Sequence, residues 1–337
     1  MEATVKLNDE ATSPLNLQLH DLGTPPTDDL ALVQEGLSRA QKELSPKFFY
    51  DQTGSRLFDR ITETPEYYVT RTEAEIFQSS LHPIREALKP AEVLVEPGSG
   101  NCRKAIPLIR DGGMRYYVPI EISGGFLAEA CQQLAAEIPE VAIHAVCGDF
   151  TRCQTLPAAL PDGDRVLFFP GSTIGNFEPE AAAALLQGFG QLVGDGGYLL
   201  IGTDLIKDTA VLDAAYNDAQ GITAAFNLNM LHHLNHRLDC DTTPADFRHR
   251  AFFNTQKSRI EMHLEAQKAT RIRAGAQQFD LRAGETIHTE SSYKYSPEGF
   301  TELAKRAGFS LEERWMDSRG WFAVHLFRCH AGDPEAA

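Results

Sequence analysis

Four short stretches of this 337-residue chain combine residue types that can hold a small polar ligand. The first is Glu96-Pro97-Gly98-Ser99-Gly100-Asn101, directly after the apolar run at 92–96. Glycines there let the backbone turn sharply and let a ligand approach with no Cβ in the way. About 20 residues further on, Glu121 closes a second apolar run, where a carboxylate can accept from both hydroxyls of a ribose. Gly148-Asp149-Phe150 follows a third run: Asp149 can accept from an adenine amino group and Phe150 can cover the ring. The fourth stretch, residues 170–177, offers the exposed backbone of Gly171, the hydroxyl of Thr173 and the donor and acceptor of Asn176. The third glycine of a dinucleotide fingerprint is missing, since Gly100 is followed by Asn101, Cys102 and Arg103, and no GxxxxGK[ST] loop exists. Three ligand points at three successive strand ends, without a pyrophosphate cradle, predict S-adenosylmethionine. Plain turn chemistry also accounts for the glycines, and Asn176 equally suits a helix cap.

Such motifs work only if a strand delivers each of them to one edge. The apolar runs at 92–96, 116–122, 141–147, 165–170 and 198–202 alternate with helical patterns at 103–110, 125–137 and 179–193. Near-continuous apolar strands separated by helices predict a doubly wound parallel α/β sheet covered on both faces. Residues 206–290 break the rhythm, being helical to about 235 and then strand-like at 258–272 and 275–290. The pattern resumes with a helix at 297–307 and strands at 310–315 and 321–327. Before the sheet, residues 1–20 are polar and expected to be loosely ordered, 30–44 is helical, and 45–88 reads as short helices and loops with a helix start at Thr70. The extension and the insertion are expected to form a second lobe over the carboxyl edge, where such folds bind ligands.

Composition narrows the function. Lys and Arg number 31 against 47 Asp and Glu, a formal charge of −16, which argues against nucleic acid or an anionic membrane as partner. No run approaches the ~20 apolar residues of a spanning helix, and the first residues lack a signal pattern. Six scattered cysteines without a CxxC pair predict free thiols and a cytoplasmic protein. His232 and His236 share a helical face, but a zinc-protease motif needs Glu where His233 stands, so no metal is expected.

From about residue 45 to 328 the chain resembles the histidine Nα-methyltransferases of ergothioneine biosynthesis. The resemblance rests on Tyr50-Asp51-Gln52-Thr53-Gly54-Ser55, Pro65-Glu66-Tyr67-Tyr68, residues 70–76, Gly98-Ser99-Gly100, Gly148-Asp149-Phe150 and Thr173-Ile174-Gly175-Asn176. It continues through residues 202–208, 214–218, Thr223-Ala224-Ala225-Phe226-Asn227 and Arg259-Ile260-Glu261-Met262. It implies a seven-stranded class I methyltransferase sheet (72–205 and 294–330), a substrate-binding lobe (21–71 and 206–293) and a tail (331–337). It further implies cofactor contacts at Tyr50, Gly98, Ser99, Gly100, Lys104, Glu121, Asp149 and Phe150. Histidine contacts would fall on Tyr67, Gly171, Thr173, Asn176, Tyr216, Met262, Glu290 and Ser292. Asn176 and Tyr216 would hold the substrate carboxylate, Tyr67, Glu290 and Ser292 would address the imidazole, and Met262 would line its pocket. The implied reaction is three successive methylations of L-histidine to trimethylhistidine (hercynine) by a monomeric enzyme, with S-adenosylhomocysteine as by-product. Two positions depart from the family: Glu121 where Asp is common, and Pro97 where Leu is. Another amino acid or a histidine or tryptophan derivative is the alternative substrate; a nicotinamide-dependent oxidoreductase and a non-catalytic cofactor-binding protein are more distant readings.

Overall fold

The computed structural model describes residues 16–21, 29–110, 113–153, 155–161 and 163–330. The expected disorder of residues 1–15 and the tail at 331–337 lie outside the described residues. The chain divides into two units, residues 1–24, 71–205 and 295–337 in the first and 25–70 and 206–294 in the second.

The first unit is built on one sheet. Its spatial order is Leu17–Asp21, Ala142–Cys147, Tyr116–Glu121, Val93–Pro97, Arg165–Phe169, Tyr198–Asp204, Phe322–Cys329 and Phe309–Met316. All neighbours pair in parallel except Phe322–Cys329, which runs against both of its own. Seven of these strands form the expected doubly wound sheet. The eighth is a correction: Leu17–Asp21, expected to be loosely ordered, pairs along Ile143–Cys147 and closes that edge. The order reverses at Val93–Pro97, where the chain first builds outwards to Ala142–Cys147 and then returns to Arg165–Phe169 on the other flank. Loops leaving the carboxyl ends of these strands diverge there and open a crevice for ligand.

Burial explains why the runs become strands. Val93–Pro97 is buried at every position, and Tyr198–Asp204 likewise. On one face Leu167, Phe169, Leu199 and Ile201 pack with Phe189, Phe300, Phe309 and Phe327. Burying each such side chain contributes ~1.5–3 kcal/mol. The expected helix at 103–110 is confined to Ile106–Ile109, because Cys102 holds a positive φ of 60° and Pro107 starts the turn. Residues 68–88, expected as short pieces, form the single helix Tyr68–Leu88 despite Pro83.

The second unit packs the helices Gln52–Thr62 and Ile222–Arg237 together, the latter also against a four-stranded sheet. That sheet runs Lys42–Glu43, Thr286–Tyr293, Arg259–Ala266 and Phe247–Asn254. A three-stranded sheet of Gln277–Leu281, Thr270–Ala274 and Cys240–Asp241 completes it. The helix expected at 30–44 ends at Ser38, and Lys42–Glu43 joins the sheet instead. The block at residues 50–55 is structural here. Asp51 caps Gln52–Thr62 by accepting from Gly54 N at 2.6 Å, and it also accepts from Asn229 Nδ2 at 2.9 Å. A Cβ on Gly54 would meet the Phe49 carbonyl at 1.7 Å, so no larger residue fits that turn.

Gly202, in the first unit, gives a test of how tightly the sheet is covered. A Cβ there would sit 2.4 Å from Glu73 Oε1 and 2.8 Å from Phe322 Cζ. Gly202→Ala is expected to destabilise the fold by ~1–3 kcal/mol through overpacking, read by chemical denaturation.

Candidate active site

The glycine loop of the first unit is fixed from two sides. Gly98 N and Ser99 N both donate to Ile120 O, at 2.8 and 3.2 Å. Gly98 and Gly100 hold φ of +67° and +53°, which L side chains rarely adopt. Glu121, at the end of the neighbouring strand, accepts from Gly100 N through Oε2 and from Ser123 N through Oε1, each at 3.1 Å. Burial raises its pKa against the pull of the Ser123, Gly100 and Ile122 amides. One backbone donor per oxygen leaves each with acceptor capacity, as two ribose hydroxyls require.

Asp149 uses Oδ1 for Thr151 N and Oγ1, at 3.0 and 2.6 Å, and keeps Oδ2 for a further donor. Phe150 lies against the loop, where a Cβ on Gly98 would reach its ring at 3.4 Å. Ser99 Oγ is buried with no partner among the described residues. An orphaned hydroxyl, a spare pair of carboxylates and a ring over a glycine fit an adenosyl group. Of the expected cofactor residues, Gly98, Ser99, Gly100, Glu121, Asp149 and Phe150 come together in this way. Tyr50 belongs to the second unit, where it packs edge-on against Phe49, Phe58 and Phe226.

Lys104 and Gly171 are joined by a residue the sequence reading did not assign. Glu73, only 2 % exposed, accepts from Lys104 Nζ at 2.8 Å and from Gly171 N at 2.7 Å. The loop continues through Ser172, a non-glycine at φ 60° whose Oγ accepts from Asp204 N at 2.8 Å. Thr173 Oγ1 donates to Pro170 O at 3.0 Å. The Asn176 side chain makes no hydrogen bond with a described residue, and the following helix is capped at Glu178, so the capping role does not apply.

In the second unit, Met262 and Glu290 face each other across the strand pair, as do Ile260 and Ser292. The register then shifts: His263 opposes His288, and Thr289 is the extra residue of a bulge. Glu290, Ser292 and Met262 therefore share one face, while His263 and His288 turn to the other. Tyr67 and Tyr216 meet edge to face at 6.2 Å. Tyr216 OH, expected at the substrate carboxylate, donates to Ser292 Oγ at 2.9 Å. Lys294 is a second residue the sequence reading missed. Buried at 3 % exposure, it donates to Ser292 Oγ at 2.8 Å and to Tyr216 OH at 3.2 Å. Continuing the alternation of 290 and 292 by one step would have found it.

The Glu290 carboxylate makes no hydrogen bond with a described residue. Burial pushes it up from 4.5 to about 7, with Lys294 pulling the other way. On the opposite face Glu261, His263 and His288 bring ligand-type atoms within 4.8 Å. Arg259 Nε and Nη2 bond Glu261 at 2.9 and 2.8 Å, and His288 Nε2 lies 2.9 Å from Glu290 O. Burial opposes the Glu261 charge, yet Arg259 and His263 pull its pKa to about 2. This is a buried ion-pair network whose carboxylate is already neutralised.

A doubly wound sheet with a glycine loop, a strand-end acid and an orphaned polar lining at its order reversal is the architecture of a class I S-adenosylmethionine-dependent methyltransferase. Residues 29–329 match the family described as histidine-specific methyltransferase, SAM-dependent, and the chain belongs to that family. A histidine N-alpha-methyltransferase of Mycolicibacterium smegmatis is 42 % identical over 87 % of this chain and 92 % of its own. Its Mycobacterium tuberculosis counterpart is 40 % identical over the same shares. Among solved structures, an S-adenosylmethionine-dependent methyltransferase from Clostridium acetobutylicum is similar at 8 % identity and a TM-score of 0.46, over 82 % of this chain and 99 % of that one.

Two variants probe the two units. Glu121→Ala removes a charged acceptor, and S-adenosylhomocysteine affinity measured by calorimetry is expected to fall at least ~10-fold; an unchanged affinity would place Glu121 outside the site. Glu290→Gln probes the buried carboxyl. A folded-state pKa of about 7 against 4.5 means the wild type carries no penalty below about pH 4.5 and the full one above about pH 7. The glutamine variant, which cannot ionise, is therefore expected to be more stable than wild type by up to ~3 kcal/mol at about pH 8, with the gain fading towards about pH 5. Denaturation curves at the two pH values read the difference; equal gains would show that burial of this charge costs nothing.

Proposed function

We infer that this chain transfers methyl groups from S-adenosylmethionine to the α-amino nitrogen of L-histidine, three in succession, to give Nα-trimethylhistidine (hercynine) for ergothioneine. Family membership supports the donor and the reaction. The observation that carries the choice of substrate is the buried face holding Glu290 without a hydrogen-bond partner beside Ser292. A buried carboxylate and hydroxyl suit the two nitrogens of an imidazole, whereas an indole has one N–H and no ring acceptor.

When bound, S-adenosylmethionine supplies an electrophilic methyl, so the reaction needs no protein nucleophile and no metal. Glu121 and Asp149 hold the nucleoside, with Phe150 against its base and Tyr50 and Lys104 as further cofactor contacts. Glu290, Ser292 and Tyr67 hold the ring, and Met262 packs beside it. The unpartnered amide of Asn176 suits the α-carboxylate, and Gly171 and Thr173 leave room for the growing quaternary nitrogen. At each transfer the amine lone pair forms the N–C bond as the S–C bond breaks, and the sulfur keeps that electron pair. The new ammonium must lose its proton to water before the first two products react again. Holding the amine in line contributes up to ~7–11 kcal/mol in favourable intramolecular cases.

A monomer in the cytoplasm is part of this reading, and the six free thiols suit a reducing compartment. No described helix is long and apolar enough to cross a membrane. The deciding experiment incubates the protein with S-adenosylmethionine and a mixture of all common amino acids, followed by mass spectrometry. Histidine alone is expected to gain methyl groups, up to three. Consumption of tryptophan or another amino acid in its place would refute the assignment.

A further inference from the structure

Lys294, Tyr216 and Ser292 form a triangle of hydrogen bonds buried in the second unit, at 3 %, 7 % and 4 % exposure. Two of its three bonds have their direction set by one member. An ammonium has donors only, whereas each hydroxyl has one proton to give and lone pairs to fill. Lys294 Nζ donates to Tyr216 OH at 3.2 Å and to Ser292 Oγ at 2.8 Å. Tyr216 OH donates in turn to Ser292 Oγ at 2.9 Å. Ser292 thus accepts twice and keeps one proton to give, for which no described residue offers an acceptor. Glu290, on the same face, is an acceptor with no bonded donor.

We propose that Lys294 is a positioning residue that fixes Ser292 as a hydrogen-bond donor, so that with Glu290 as acceptor the face selects a neutral imidazole in a single tautomer. The proposal rests on histidine being the substrate and specifies which form of it the site takes. A ring with one N–H and one bare nitrogen satisfies both partners. An imidazolium has two N–H groups, and its second would meet a hydroxyl whose lone pairs are filled beside a second cation. Sites that hydrogen-bond a group discriminate strongly against forms unable to return the bond. Without Lys294, Ser292 regains a lone pair and can accept, so the preference for one tautomer is lost.

The test is nitrogen NMR of ring-labelled histidine bound to the enzyme with S-adenosylhomocysteine. Wild type is expected to show one protonated and one bare ring nitrogen in slow exchange. Lys294→Met is expected to show averaged or doubly protonated nitrogens. Its KM for histidine is expected to rise roughly 10-fold with kcat changed far less, because the loss lies at the ring and not at the amine. Should Lys294→Met fail to fold, Ser292→Ala removes the same donor and is expected to give the same loss of a fixed tautomer. A doubly protonated ring on the wild type, or a Lys294→Met spectrum identical to wild type, would overturn the proposal while leaving histidine as substrate. No histidine bound to the wild type at all would overturn the substrate reading and the proposal with it.

Discussion

The placement of one extra residue decides which chemistry each face of the second unit's sheet presents. Without the bulge at Thr289, a strict alternation would put His288 beside Glu290 and Ser292. With it, His288 joins His263 on the face of Arg259 and Glu261 and leaves the other to Met262, Glu290 and Ser292. The bulge is held by side chains. Asn227 Nδ2 donates to the His263 carbonyl at 3.0 Å, and its Oδ1 accepts from Thr289 Oγ1 at 2.9 Å. The Thr289 hydroxyl also lies 3.0 Å from the Met262 carbonyl, so the irregular backbone has a partner where the ladder is interrupted. Asn227 is fully buried, on the helix Ile222–Arg237. The aim of Glu290 is thus set by a residue of another element that need touch no ligand.

Glu73 does the corresponding work in the first unit. A carboxylate at 2 % exposure is tolerated only with its charge and lone pairs met, and Lys104 and the Gly171 amide meet them. The same bonds fix a lysine beyond the glycine loop and the backbone of the fourth strand-end loop, on opposite sides of the sheet's order reversal. Gly202 is part of this arrangement, because any side chain there would displace the Glu73 carboxylate.

What the sequence disclosed follows from how local each feature is. The sheet strands are short apolar runs buried on both faces, and the strand-end motifs carry their own glycines and acids, so both could be read in order along the chain. Phe247–Asn254 was not foreseen: FRHRAFFN is polar and only partly buried, an edge strand without the apolar signature. Leu17–Asp21 was missed for the same reason, with three of its five residues exposed. Glu73 and Lys294 were missed as functional candidates because their partners are distant in sequence or defined by hydrogen-bond direction. Glu73 meets Gly171 across a separation of 98 residues, and nothing near either one announces it. The Tyr50 and Asn227 blocks were specific to the family, yet the capping of Asp51 and the pinning of the bulge show that much of that specificity is architectural.

The groups left without partners separate ligand-facing chemistry from structural chemistry. Arg259, Glu261 and His263 are as buried as the Glu290 group, but the Glu261 charge is met by Arg259 and by a hydrogen bond with His263. Glu290, the Ser292 proton and the Asn176 amide have no such answer within the described chain. Neutralising Glu290 with a nearby arginine would have been the stabilising choice, as Glu261 shows on the opposite face of the same sheet. The second unit instead holds a carboxyl whose pKa burial raises to about 7, close to that of an imidazole. Glu290 is therefore a cost to the fold that the arginine-paired Glu261 on the opposite face does not carry.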